Sequence, residues 1–229
     1  MKNITLVIPA KNEKESLPQV LEELEKFDYK IMVVLHKSDI ETIESIKNYD
    51  VKIAFQKDFG YGDALITGIK ETTTELFCIF NADGSFDAQD LNKMYVLIQN
   101  NDFIFTTRYE KPGGSEDDTI TTLIGNKIFS KIGNIFFSLK ISDILYTFIM
   151  GKTQSFKDLH IKSNDFRFCV ELPIKMQIRN MKYKSIPSYE LKRIAGKKKV
   201  NAFKDGFLIM CEILKLFFVY KILRNKDIK

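Results

Sequence analysis

Short apolar runs recur through the first half of the chain, each separated from the next by a segment of helical period. Ile4–Pro9, Lys30–Leu35, Val51–Phe55, Leu76–Phe80 and Asp102–Thr106 read as buried strands. Between them, Lys14–Phe27 carries leucines at 17, 21 and 24, the spacing of an amphipathic helix. Ile40–Asn48, Tyr61–Lys70 and Ala88–Gln99 are helical too, the last with Asp87 as its N-cap. Strands and helices in this alternation predict an α/β fold: a mostly parallel central sheet, helices on both faces and right-handed crossovers. Such sheets bind ligands at the carboxyl ends of their strands.

The pattern changes after Tyr109. Glu110–Thr119 is rich in glycine and acidic residues and reads as mobile. Ile120–Leu139 is a long apolar helix, Ile141–Leu159 is irregular, Asp165–Asn180 is helical and Lys184–Pro187 is a short strand. Ala202–Arg224 is a final helix. The 229 residues divide into one domain over residues 1–200 and a helical segment over 201–229. The most apolar stretch, Phe207–Leu223, is interrupted by Glu212, Lys215 and Lys221. It falls short of the roughly 18 uncharged apolar residues of a spanning helix, so it reads as a core helix or one lying on a membrane surface. The first residues run straight into a strand pattern, with no signal-peptide design. Cys78, Cys169 and Cys211 lack metal-ligand spacing and sit in apolar runs, which predicts buried thiols in a reducing compartment.

The charge balance, 35 basic against 30 acidic residues, is too even for a nucleic-acid binder. Its distribution is more informative. Lys182–Lys199 holds seven basic residues and one acid, Glu190, a local sign that suits phosphates on a nucleotide or a lipid surface. Asn81, Ala82 and Asp83 follow the apolar strand Leu76–Phe80, with Gly84 to allow a turn. A carboxylate there suits Mg2+ or Mn2+, which take hard oxygen ligands and leave positions for phosphate oxygens. Taken alone, an Asp-Gly pair is more often a plain turn. It is accompanied by VIPAKNE at 7–13 after the first strand, FGYGDAL at 59–65 opening the third helix, and Thr106–Tyr109 after the fifth strand. In this topology those loops converge on one rim.

The ordered set resembles the family 2 glycosyltransferases of GT-A fold, and among them the dolichyl- or polyprenyl-phosphate sugar transferases. The opening motif is VIPAKNE, the glycine loop is FGYGDALITGI at 59–69, and the metal motif is NADGS at 81–85. Thr107, Arg108 and Tyr109 match a Ser-Arg-Tyr element, and Arg193 through Lys199 match a late Arg-x-x-Gly-Lys-Ser-Lys element. The resemblance implies a nucleoside-diphosphate-sugar donor contacted by Pro9, Ala10, Asn12, Glu13, Asp39, Gly60, Asp63, Asn81, Ala82 and Lys197. It implies a metal at Asp83, with Asn81 and Ser85 beside it. Arg108 is implied to hold an acceptor phosphate, and Arg193 with Lys197 to close over the diphosphate. A phosphate acceptor is already ionised and needs no strong base, whereas a hydroxyl acceptor needs one. Asp143 and Glu171 both stand as candidates for that base. The sequence departs from the family at Leu35 and His36, where an acidic pair is usual, and at Asn81 and Ser85. No arginine follows Asp143 within Ile144–Ile149.

The implied function is an inverting transfer onto a polyprenyl-phosphate or lipid-linked glycan at the cytoplasmic face of a membrane. A second copy of the chain or a membrane protein stands as a further partner. The alternatives are a GT-A transferase using a sugar hydroxyl, a sugar-1-phosphate nucleotidyltransferase, and a non-catalytic nucleotide- or membrane-binding module. The nucleotidyl reading is disfavoured because the loop after the first strand reads Ala10, Lys11, Asn12, Glu13, without the glycine-rich basic loop of those enzymes.

Overall fold

A computed structural model of the chain describes residues 3–196 and 199–223. The first half runs β1 (Ile4–Pro9), α1 (Leu17–Leu24), β2 (Lys30–His36), α2 (Ile40–Ser45), β3 (Lys52–Gln56), α3 (Tyr61–Glu71), β4 (Leu76–Ile79), α4 (Asp90–Ile98) and β5 (Phe103–Thr107). The second half runs β6 (Gly114–Ser115), α5 (Ile120–Phe137), β7 (Ile149–Lys152), α6 (Thr153–Asp158), α7 (Phe168–Ile178), β8 (Tyr183–Pro187), β9 (Tyr189–Glu190) and α8 (Ala202–Phe217). The end of α8 widens into a π-helical stretch over Phe218–Ile222. Among the described residues, no helix is long and apolar enough to cross a membrane.

Seven strands form one sheet in the order β3-β2-β1-β4-β7-β5-β8. All neighbours are parallel except β7, which runs antiparallel to both β4 and β5. The side-chain alternation of a strand separates two cores. Leu6 and Ile8 of β1 join one with α1 and α4, while Val7 joins the other with α3, α6 and α7. Burial on both faces explains the continuous apolar runs of β1, β4 and β5, each such side chain contributing about 1.5–3 kcal/mol, while the edge strand β3 leaves Phe55 exposed.

Several elements differ from the sequence reading. The stretch read as irregular supplies β7 and α6. Its strand, Ile149–Lys152, inserts between β4 and β5, and Gly151 lies against Phe77 and Phe103. The segment read as mobile is tied down: β6 pairs with β9, and the Glu116 amide donates to the Glu190 carbonyl at 2.9 Å. Helix α4 begins at Asp90 because the Asp87 carboxylate accepts from the Gln89 amide at 2.9 Å, making a separate turn first. Helix α1 begins at Leu17, with Pro18 in its first turn where the missing N–H costs nothing. Cys78 and Cys169 are buried, but Cys211 is exposed, because α8 turns that side of its surface away from the core.

A Cβ added at Gly151 would stand 2.7 Å from Phe77 and 2.8 Å from Phe103, both fully buried. Gly151→Ala is therefore expected to destabilise the fold by about 1–3 kcal/mol through overpacking. Urea denaturation checks this: the midpoint falls and the slope is unchanged.

Candidate active site

Strand β1 lies between β2 and β4. The chain leaves β1 for β2 on one side and leaves β4 for β5 on the other, so the loops after β1 and β4 diverge. This is the topological switch point, where a doubly wound sheet opens a crevice at its carboxyl edge. Glu13 stands at one lip and Asp83 at the other.

The β1 lip comprises Pro9, Ala10, Asn12 and Glu13. Asn12 has φ 52°, a left-handed conformation that asparagine tolerates. Its amide donates to the Asp39 carboxylate at 2.7 Å, locking the loop after β1 to the loop after β2. The Glu13 amide donates to Thr42 Oγ1 at 3.0 Å, and Ser16 donates to Glu13 Oε2 at 2.7 Å. The other Glu13 oxygen pairs with the Lys199 ammonium. Glu13 is buried, so this cation is its main charge partner.

The β4 lip is the turn Asn81–Ser85. Gly84 has φ +78°, and a Cβ there would strike Ile194. Asp83 Oδ1 accepts from the Ser85 amide at 3.1 Å and the Ser85 hydroxyl at 2.7 Å. Asn81 donates to that same hydroxyl at 3.1 Å. Ser85 thus orients Asp83, and Asn81 orients Ser85 through its amide nitrogen. Ala82 is buried beneath the turn. Asp83 Oδ2 faces Arg193 Nη1 at 3.4 Å, and Arg193 Nη2 donates to Asp117 at 2.7 Å. The bond to Asp117 and the charge of Asp83 hold the guanidinium above its ordinary pKa. Two backbone bonds fix Arg193 here: Leu191 donates to the Ser85 carbonyl at 2.9 Å, and Ile194 to the Asp83 carbonyl at 2.8 Å. The late basic segment is therefore laid along the metal motif itself.

Arg108 stands at the end of β5 among carboxylates and aromatic rings. Its Nε and Nη2 donate to Asp143 at 2.7 and 2.9 Å, and its Nη1 to Glu190 at 3.0 Å. Its face stacks 4.5 Å from the Tyr146 ring and 5.2 Å from Tyr109. Burial alone would lower its pKa, but the Asp143 bonds and charge outweigh it and hold it well above normal. In this structure these donors are engaged by the carboxylates of Asp143 and Glu190. Asp143 is fully buried and also accepts from the Arg108 amide at 3.1 Å and from Asn126. In this structure it is the counter-ion of Arg108. The reason is β7: running antiparallel, it brings Asp143–Phe148 to the carboxyl end of β5, beside Arg108.

Glu171 is not at the rim lip either. It is buried in α7, pairs with Lys175 at 2.6 Å, and accepts from the Ser163 amide at 2.7 Å. Burial pushes its pKa up, but Lys175 and Ser163 outweigh this and hold it below the usual carboxylate range. Its task is to hold residues 162–163. That loop meets the glycine loop, since a Cβ at Gly60 or Gly62 would collide with the carbonyl oxygens of Asn164 and Ser163. The Asp63 amide donates to the Asn164 carbonyl at 2.9 Å, and its carboxylate accepts from the Asp58 amide at 3.0 Å. Lys197 lies outside the described residues. The sequence reading missed Asp117 as the partner of Arg193 and Glu190 as the partner of Arg108. The only signal for Glu190 was its position as the lone acid of a basic stretch.

Among the described residues, no group of three or more His, Cys, Asp or Glu side chains could hold a metal alone. Asp83 and Asp117 nevertheless converge on one cation, the Arg193 guanidinium. Asp83 and Asp117 are hard oxygen donors of the kind that would suit Mg2+ or Mn2+.

This architecture is that of the GT-A nucleotide-sugar transferases. Glucosyl-3-phosphoglycerate synthase from Mycobacterium tuberculosis, crystallised with UDP, superposes with a TM-score of 0.72 at 11% identity, covering 93% of this chain and 79% of that one. Mannosyl-3-phosphoglycerate synthase from Rubrobacter xylanophilus gives 0.68 at 13% identity, covering 99% and 76%. Other crystals of the mycobacterial synthase contain Mn2+ or Mg2+ with UDP. The family model for glycosyl transferase family 2 matches residues 5–160, and the chain belongs to that family as a glycosyltransferase. An uncharacterised glycosyltransferase of Mycobacterium tuberculosis is 25% identical over 206 residues, covering 90% of this chain and 93% of its own. A dolichol-phosphate mannosyltransferase of Pyrococcus furiosus is 25% identical over 185 residues, covering 75% of this chain and 52% of its own.

Two outcomes test the buried pairs. Asp143→Asn leaves the Arg108 guanidinium short of its principal counter-charge and is expected to cost about 3 kcal/mol in denaturant unfolding. Glu171 is held below its unfolded pKa, so its contribution is present above about pH 4.3 and is lost as pH falls through the folded value. Glu171→Gln is expected to flatten that acid limb in a pH series of unfolding curves.

Proposed function

We propose that the chain transfers a glycosyl group, with inversion, from a nucleoside diphosphate sugar to a phosphate-bearing polyprenyl lipid or lipid-linked glycan. One observation carries this reading. At the switch point, the carboxylates Glu13 and Asp83 are each neutralised by a cation from one late segment, Lys199 and Arg193. A nucleoside diphosphate brings anionic oxygens that attract those cations, and its metal can take the Asp83 carboxylate. Glu13 and Asp39 then line the nucleoside side, with Pro9, Ala10 and Asn12 in the same lip. Arg193 suits a diphosphate through its planar fork, and Lys197 and Lys199 act as point charges. A Mg2+ or Mn2+ held by Asp83, with Asn81 and Ser85 behind it, would neutralise charge developing on the leaving nucleoside diphosphate.

The buried positions of Asp143 and Glu171 support a phosphate acceptor. Neither carboxylate is presented at the crevice to take a proton from a hydroxyl, whereas an ionised phosphate oxygen attacks without one. The dolichol-phosphate mannosyltransferase of Pyrococcus furiosus and the phosphoglycerate synthases, by their names, also act on phosphate-bearing acceptors. A lipid-borne acceptor places the enzyme at the cytoplasmic face of the membrane as a peripheral protein, with residues 201–229 as its surface segment.

The test is release of nucleoside diphosphate from UDP- and GDP-sugars with Mn2+ and polyprenyl phosphate. Asp83→Ala is expected to lower turnover about 100-fold or more. Undiminished turnover would refute the metal assignment, and equal transfer to the unphosphorylated polyprenol would refute the phosphate acceptor.

A further inference from the structure

Helix α8 is apolar on two opposite faces. Ile209, Ile213 and Leu216 are buried in the core. Phe203, Phe207, Leu214, Phe218 and Ile222 share the outward face at spacings of four, seven, four and four residues. Phe203 is 88% exposed and Phe207 70%. Helix α5 repeats the design: Ile120 (77% exposed), Ile124, Ile128 and Ile135 (66%) point away from the core. The two helices pack side by side. Phe136 stacks on Phe217 with centroids 4.5 Å apart, and Phe129 lies close to Gly206. Their outward faces therefore adjoin, and the exposed apolar side chains form a contiguous group rather than single scattered residues.

Among the described residues of the two helices, the exposed charges have one sign. Lys127 and Lys131 of α5 and Lys204, Lys215 and Lys221 of α8 and its extension are exposed. Helix α5 contains no acidic residue. The two acids of α8 are turned inward or back on the helix: Glu212 is buried and pairs with Lys215, and Asp205 accepts from the Asn201 amide at 2.7 Å. Exposed aromatic and aliphatic side chains among lysines, without a free acid, match an anionic lipid surface, where apolar groups enter the acyl boundary and ammonium groups meet headgroups. A second copy of the same surface would oppose five lysines with five lysines.

Both helices also begin at the active-site rim. Asp117 and Asp118, which face Arg193 and Arg108, directly precede the Thr119 cap of α5. Lys199, which pairs with Glu13, lies two residues before the Asn201 cap of α8. We infer that the joint outward face of α5 and α8 docks the enzyme in the plane of an anionic bilayer, which places the mouth of the crevice at headgroup level. The functional meaning rests on the lipid-phosphate reading above, but the docking itself does not.

Sedimentation of the full chain with phosphatidylcholine vesicles, with and without phosphatidylglycerol, tests this. Binding is expected to anionic vesicles, to weaken with salt, and to fall at least tenfold in Phe207→Glu/Phe218→Glu. The variant Lys127→Gln/Lys131→Gln/Lys221→Gln keeps the apolar face and is expected to lose the preference for anionic lipid, which guards against a folding defect in the first variant. Transfer to a short, water-soluble polyprenyl phosphate is expected to be unchanged in both. No sedimentation with anionic vesicles overturns the inference, as does a dimer that Phe207→Glu/Phe218→Glu dissolves without any vesicle binding. Vesicle binding with no transfer to any phosphate acceptor overturns the lipid-phosphate reading and leaves the docking surface standing.

Discussion

The adjacency of β1 and β4 is the constraint from which the site follows. Because they are parallel neighbours and their connections run in opposite directions, their carboxyl ends open the only kind of cleft a doubly wound sheet makes without distorting its core. Glu13 and Asp83 come to face that cleft through backbone position alone. Both must then be neutralised, since uncompensated carboxylates this close to a core are costly. The late segment supplies the compensation. Its backbone is bonded to the Asp83 turn through Leu191 and Ile194, so Arg193 and Lys199 arrive together. Arg193 and Lys199 thereby hold the positive charge of the cleft against the carboxylates of its two lips.

A second charge network sits behind the first and does a different job. Arg108, Asp143, Glu190 and Asn126 are buried together and saturate one another. This network ties the end of β5 to the approach to β7 and to β9, and β9 leads directly into the segment carrying Arg193.

Much of the sheet was legible because β1 through β5 obey local rules. Each is a short apolar run bounded by turn residues, with a helix of clear period between. Strand β7 broke those rules. Phe148, Ile149 and Met150 lie in an apolar stretch without a turn signal to mark them off, and their pairing with β4 and β5 spans many residues of sequence. Missing β7 also hid the contact of Arg108 with Asp143, which the antiparallel run of that strand creates. The two-residue strands β6 and β9 are too short for any periodicity. The motifs after β1 and β4 were legible because they are contiguous in sequence. The partners Asp117 and Glu190 were not, since an ion pair between residues about eighty positions apart leaves no local trace.

The central claim is that Asp83 and the late basic segment form one site that metal and nucleoside diphosphate complete together. Titration of Mn2+ by electron paramagnetic resonance, with and without UDP or GDP, measures this directly. The account predicts weak Mn2+ binding to the free protein and at least tenfold tighter binding with the matching nucleotide, with the reciprocal gain for the nucleotide. Nucleotide affinity that is identical in Mn2+ and in EDTA would contradict it.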